Sequence, residues 1–202
     1  MATTARVSGM VADELPIEES RRLVATRTGT IGYPDEHAIA VAECSLQIAD
    51  CLAVGGDTRR TIAQGALLHD VGKLHVDERI LAKPGPLTPD ERREIKQHPD
   101  EGERIVRTAV DPRVAEVVRT HHERWDGAGY PQGLSGKQIS LAARVVAVAD
   151  AYLAMCEQRP YRERLTQSEA VRELEDCAGS QFDPVCVKAL VSIVAPARVA
   201  GA

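Results

Sequence analysis

Aromatic side chains are scarce: one Trp, one Phe and four Tyr make up 3% of the 202 residues. A core must therefore be assembled from Ala, Val, Leu and Ile. Long apolar runs are missing too. None reaches the roughly 18–20 residues needed to span a bilayer, and the opening stretch MATTARVSGMVADELPIEES lacks the charged-then-apolar order of a secretory signal. There is no surplus of cations: 25 Lys+Arg against 30 Asp+Glu leave a net charge of -5. That excludes electrostatic wrapping of a nucleic-acid polymer. It leaves open a small phosphate ester whose charge a bound metal neutralises locally. The five cysteines, Cys44, Cys51, Cys156, Cys177 and Cys186, are odd in number and form no Cys-x-x-Cys pair. Cys44 and Cys51 lie two turns apart on one expected helix, too far to bridge. A reduced, cytoplasmic protein with small buried thiols is expected.

What is present reads as helix. The stripe His37, Val41, Cys44, Ile48 and Cys51 predicts a helix from Asp35 to about Val54, stopped by Gly55-Gly56. Asp57 or Thr58 is the expected cap of the next helix, which runs to about Asp70 through Ile62, Ala66 and Leu67. Lys83–Pro89 is a loop, and Thr88-x-x-Glu91 reads as a capping box. Further helices are expected over 88–97, 99–108, 112–122, 137–156, 166–177 and 183–194, after a short one at 17–27. Gly127, Gly129, Gly133 and Gly136 make 126–136 a loop. Nothing alternates at period 2, so the fold is expected to be all-α. The division along the chain is a flexible N-terminal tail over 1–16, a short helix and linker over 17–34, one helical domain over 35–195 and a tail over 196–202. A second Gly-Tyr-Pro, at Gly32-Tyr33-Pro34, has no matching neighbours and is read as coincidence.

The informative residues interrupt apolar stripes. His37 begins one stripe, His69 continues another with Asp70 beside it, and Asp150 falls between Val146 and Leu153. A carboxylate buried unpaired would cost several kcal/mol, so it needs a cation or strong donors. Ordinary structural roles exist for each residue: a hydrogen-bonded core His, an Asp paired with Arg144, a solvated helix end at His121-His122, helix-end chemistry at His98. These weaken jointly, because several helices each aim an imidazole or carboxylate inward. A set of N and O donors without thiolates suits Fe, Mn or Zn catalysis better than a Cys-rich structural zinc site.

The run Leu67-Leu68-His69-Asp70-Val71-Gly72-Lys73, with His37 upstream and Asp150 downstream, resembles the HD superfamily of metal-dependent phosphohydrolases. The segment His121-His122-Glu123-Arg124-Trp125-Asp126-Gly127-Ala128-Gly129-Tyr130-Pro131 is more specific. It resembles the HD-GYP subfamily of bacterial cyclic di-GMP phosphodiesterases. Ile80–Gly85, Lys96–Pro99, Ala147–Asp150, Arg159–Arg162 and Gln181–Pro184 follow the family's order, so the likeness spans about 35–190. It implies an HD-type helical domain with a loop-borne Gly-Tyr-Pro motif and two divalent metal ions, Fe or Mn before Zn. His37, His69, Asp70 and Asp150 would hold one ion. Asp70 would bridge to a second held by His98, His121 and His122. Ions about 3.5–4 Å apart can share a carboxylate and activate water. By the same resemblance Asp70 and Lys73 act in catalysis, Lys73 reaching a phosphate oxygen, while Gly129, Tyr130 and Pro131 shape the cleft. Arg159 is a candidate phosphate contact, with a structural salt bridge as the competing role.

Two departures matter. Some family members bind a third metal through a Glu one turn before the first His; here that position is Tyr33, a poor ligand when neutral, and a binuclear site is expected. His75 stands where the family has a small residue and is expected to serve surface or packing. The implied activity is hydrolysis of cyclic di-GMP to pGpG, with GMP as a further product. Another cyclic dinucleotide or nucleotide, or binding without turnover, are the alternatives. Expected partners are the cyclic dinucleotide, a diguanylate cyclase or other signalling protein, and a second copy of the chain; no membrane span and no nucleic-acid polymer are expected.

Overall fold

The computed structural model describes residues 16–30, 32–157 and 164–194. Ten α-helices occur among them, and no strand: α1 Ile17–Thr28, α2 Glu36–Cys51, α3 Gly56–Leu68, α4 Glu78–Leu81, α5 Pro89–Ile95, α6 His98–Val106, α7 Pro112–Thr120, α8 Leu141–Cys156, α9 Gln167–Asp176 and α10 Pro184–Val194. Two 3-10 turns, Val71–His75 and Gly136–Gln138, complete the order. The all-α expectation holds. None of the described helices is long and apolar enough to cross a membrane.

Helix starts follow local chemistry. The Asp35 carboxylate accepts from the Ala38 N–H at 2.9 Å and opens α2. The expected capping box at Thr88 and Glu91 is present on α5, and Thr166 with Glu169 forms another on α9. The cap of α3 differs from the expectation. Gly55 takes the extended cap position without a side-chain bond, and Asp57 lies inside the first turn. There its charge favours the positive end of the helix instead. The helix expected over 137–156 is split: Gly136–Gln138 forms a 3-10 turn, and Ser140 then caps α8. The turns over 71–75 and 78–81 were not expected as elements.

Two cores result. The larger joins α2, α3, α8, α9 and α10 through residues such as Leu46, Ile48, Leu67, Val146, Leu174 and Leu190, all fully buried. The smaller gathers Val24, Tyr33, Leu68, Val71, Val106 and Val118. Helix α3 contributes to both, packing against α2, α7 and α8. Crossings are close because small residues permit it. A Cβ on Gly65 would lie 2.6 Å from the Val117 side chain, and one on Gly72 would lie 1.9 Å from the His98 carbonyl oxygen. The second approach seats the 3-10 turn after Asp70 directly on the start of α6, where His98 stands.

Candidate metal centre

Three histidines occupy helix ends, and the ends orient them. His69 terminates α3, His121 terminates α7, and His98 follows the end of α5. The last carbonyls of a helix have no partner within it. Each imidazole uses one of them: His69 Nδ1–H donates to Ala66 O at 2.7 Å, His98 to Ile95 O at 2.7 Å and His121 to Val118 O at 2.8 Å. Every bond runs to the residue three positions earlier. In each ring this puts the proton on Nδ1 and turns the Nε2 lone pair inward. The negative ends of α3 and α7 meet at the same place, which favours a cation there.

Asp70 sits among these lone pairs. Its Oδ1 is 3.3 Å from His98 Nε2 and 3.9 Å from His121 Nε2, and its Oδ2 is 3.3 Å from His69 Nε2. Ligand atoms of Asp70, His98, His121 and His122 lie within 4.8 Å of one another, and so do those of His37, His69 and Asp70. Two overlapping ligand sets share one carboxylate. His98 Nε2 and His121 Nε2 face each other at 3.3 Å. Two lone pairs that close repel unless a cation or proton lies between them. His69 Nε2 and Asp70 Oδ1 are buried and have no hydrogen-bond partner, an arrangement that costs about 1–3 kcal/mol per group unless a ligand satisfies it. Geometry and donor chemistry therefore both fit divalent cations.

Electrostatics agree at His121 and His122; at His69 burial would lower the ring, but Asp70 and Asp150 raise it above the ordinary histidine value. Burial, reinforced by His98, pushes His122 down to about 4. Burial and the neighbouring imidazoles hold His121 well below the usual histidine range. Both rings are neutral donors at pH 7. Burial would raise Asp70, but His69 and the Lys73 ammonium hold it well below the ordinary carboxylate range. Lys73 Nζ donates to Asp70 Oδ2 at 2.6 Å from a position at the rim.

His37 and Asp150 close the site from the other side. His37 Nε2 lies 3.1 Å from Asp150 Oδ1, which is also 3.9 Å from His69 Nε2. The Asp150 bond, opposed by burial and helped by Glu157, raises His37 to about 9. Arg144 is not the partner of Asp150. It pairs with the buried Asp183, donates to Ile139 O and lies over the Trp125 ring. This ties the Gln181–Pro184 segment to the Trp125 loop, where Trp125 N–H donates to Gln181 O at 3.0 Å.

The Gly-Tyr-Pro loop is held by a residue that the sequence reading passed over. Glu123 is buried, and its two oxygens accept from the Gln132 N–H at 2.6 Å and the Leu134 N–H at 3.0 Å. Gly129 lies so close to this turn that a Cβ would meet Arg124 N at 2.4 Å. Tyr130 stacks on His122, ring centroids 4.9 Å apart, and Lys96 Nζ lies 4.9 Å from the Tyr130 centroid. Glu157 is the second omission; its Oε1 accepts from His37 Nδ1 at 2.7 Å. His75 is exposed, Tyr33 is buried in the smaller core, and Arg159 lies outside the described residues.

The model for the HD domain matches residues 7–186. This chain belongs to the HD domain family. Among curated relatives, a cyclic di-GMP phosphodiesterase of Thermotoga maritima is 40% identical over 160 residues, covering 78% of this chain and 44% of the relative. A 3'3'-cGAMP-specific phosphodiesterase of Vibrio cholerae is 36% identical over 159 residues, covering 78% and 35%. The chain thus spans less than half the length of these curated relatives. A solved cyclic GMP-AMP specific phosphodiesterase of Vibrio cholerae superposes with a TM-score of 0.66 at 20% identity, covering 90% of this chain and 49% of that one, and shares the fold. The resemblance to the HD-GYP branch read from the His121–Pro131 segment accords with these relatives.

Proposed function

We propose that this chain is a metal-dependent phosphodiesterase that hydrolyses cyclic di-GMP to pGpG, with GMP as a further product, in bacterial second-messenger signalling. The observation that carries the reading is the pair of ligand sets meeting at Asp70. His37, His69, Asp70 and Asp150 would hold one ion, and Asp70, His98, His121 and His122 the other, with Fe or Mn favoured by an N/O donor set. Bound divalent ions supply Lewis acidity, offsetting phosphate charge and lowering the pKa of water.

The chain's own residues do the rest. Asp70, held ionised, presents one oxygen to each ligand set. Lys73, half-exposed at the rim, is placed to exchange its contact with Asp70 for a nonbridging phosphate oxygen, stabilising charge that grows in the transition state. Gly129, Tyr130 and Pro131, pinned by Glu123, shape one wall of the cleft. Arg159 remains the proposed second phosphate contact, by bidentate pairing of its guanidinium.

The test is turnover by protein purified anaerobically with Mn(II) or Fe(II), following pGpG and GMP by chromatography. Cyclic di-GMP consumption supports the reading. No turnover of it, with turnover of another nucleotide, contradicts the substrate assignment, and tight binding without products contradicts the enzyme. The name of the Vibrio cholerae relative favours 3'3'-cGAMP as the competing substrate to include.

A further inference from the structure

The histidines of the proposed metal centre differ in how they are aimed. His69 and His121 stand at helix C-terminal ends, and His98, the first residue of α6, follows the end of α5; each donates Nδ1–H to the carbonyl three residues earlier. His37 cannot. It is the second residue of α2, and the helix before it, α1, ends at Thr28, so no helix end offers a free carbonyl three residues earlier. Its Nδ1 proton needs an acceptor from elsewhere in the fold. Glu157, at the C-terminal cap of α8, provides it at 2.7 Å, across a sequence separation of 120 residues. Asp150 on the same helix faces the other ring nitrogen at 3.1 Å. Helix α8 therefore addresses His37 through both nitrogens.

We propose that Glu157 is the positioning residue of His37, fixing the ring so that Nε2 faces Asp150 and His69. This rests on the reading of His37 as a metal ligand. A carboxylate bonded to the far nitrogen of a ligating imidazole fixes its tautomer and orientation and raises its basicity; losing it weakens metal affinity by about 10–100-fold. The effect falls on one ion only, because His37, the residue Glu157 holds, is not in the second ligand set, Asp70, His98, His121 and His122.

The test is Mn(II) titration of the purified full chain, following free Mn(II) by electron paramagnetic resonance. Wild type, Glu157→Ala, Glu157→Gln and His37→Ala are compared. Glu157→Ala should weaken one of two ions by about 10–100-fold and leave the other unchanged. Glu157→Gln should bind both nearly as wild type, because its amide oxygen still accepts the Nδ1 proton. His37→Ala should lose that same ion. If His37→Ala loses an ion while Glu157→Ala binds both as wild type does, the positioning role is wrong. If Glu157→Ala and Glu157→Gln weaken both ions alike, the residue acts on the fold at large and the proposal fails. If His37→Ala keeps both ions, the ligand assignment itself falls, and the proposal with it.

Discussion

Replacing Gly72 by Ala tests how the fold delivers Asp70 to the histidines. A Cβ at this position would sit 1.9 Å from His98 O and 2.6 Å from Gly102 N, and both obstacles are backbone. Reaching ordinary contact at 3.4 Å requires the 3-10 turn and the start of α6 to separate by about 1.5 Å along the shortest direction. Overpacking of this kind costs about 1–3 kcal/mol and occasionally more. With backbone on both sides, about 3 kcal/mol is expected, a fall in Tm of roughly 6–12 °C for a chain of this size. The larger effect is on the site. The turn begins immediately after Asp70 and α6 begins with His98, so the displacement separates Asp70 Oδ1 from His98 Nε2, now 3.3 Å apart. A misplacement near 1 Å can cost about 100-fold in rate. Thermal denaturation, Mn(II) stoichiometry and cyclic di-GMP turnover should be measured beside Gly55→Ala, where a Cβ meets nothing within 4 Å and the backbone is extended. Gly55→Ala, a poorer cap for α3, should lower Tm by no more than about 4 °C and leave ion count and turnover unchanged. A Gly72→Ala protein with wild-type Tm, two ions and full turnover would refute the reasoning.

The remaining predictions concern the loop, the protonation of His37 and the buried ion pair. Glu123→Gln keeps one acceptor oxygen and turns an NH₂ toward a backbone N–H, forfeiting a charged hydrogen bond of about 1.5–3 kcal/mol. It should raise KM for cyclic di-GMP by about tenfold or more, leaving metal content and hydrolysis of bis(p-nitrophenyl) phosphate near wild type. His37 titrates at about 9 in the folded chain against 6.5 ordinarily. A raised value means that Asp150 and Glu157 stabilise the metal-free protein fully below pH 6.5, and this contribution is lost as pH rises through 9. Metal binding needs the neutral ring, so between pH 7 and 9 Tm should fall for metal-free protein while Mn(II) affinity rises. Asp183→Ala strands Arg144, most of whose side chain is buried; unfolding titration should show a loss of about 3–5 kcal/mol with both ions still bound.

Much of the site was legible because its residues break a periodic pattern. His37, His69 and Asp150 interrupt apolar stripes, and Thr88 with Glu91 announces a helix start through a purely local bond. The roles of Glu123, Glu157 and Asp183 were not legible for the opposite reason. Each acts on a partner brought near only by folding: a loop nine and eleven residues on, an imidazole 120 residues away, a guanidinium 39 residues away. Glu157 carries no local signal, whereas Glu123 could have been suspected as a carboxylate beside two histidines and ahead of a glycine-rich loop. The cap of α3 was misplaced because Asp57 suits a first turn as well as a cap, and Gly55 reached the extended cap conformation first. Asp150 was offered Arg144 by proximity in sequence; the tertiary fold gives that arginine to Asp183 instead.

The central claim is that Asp70 joins two ion sites, and metal stoichiometry tests it most directly. Wild type and His75→Ala, equilibrated with Mn(II) and freed of excess, should each retain two ions per chain. Asp70→Ala should retain neither at the same free Mn(II) concentration while remaining helical by circular dichroism. An Asp70→Ala protein that still holds two ions, or a His75→Ala protein that loses one, would contradict the account.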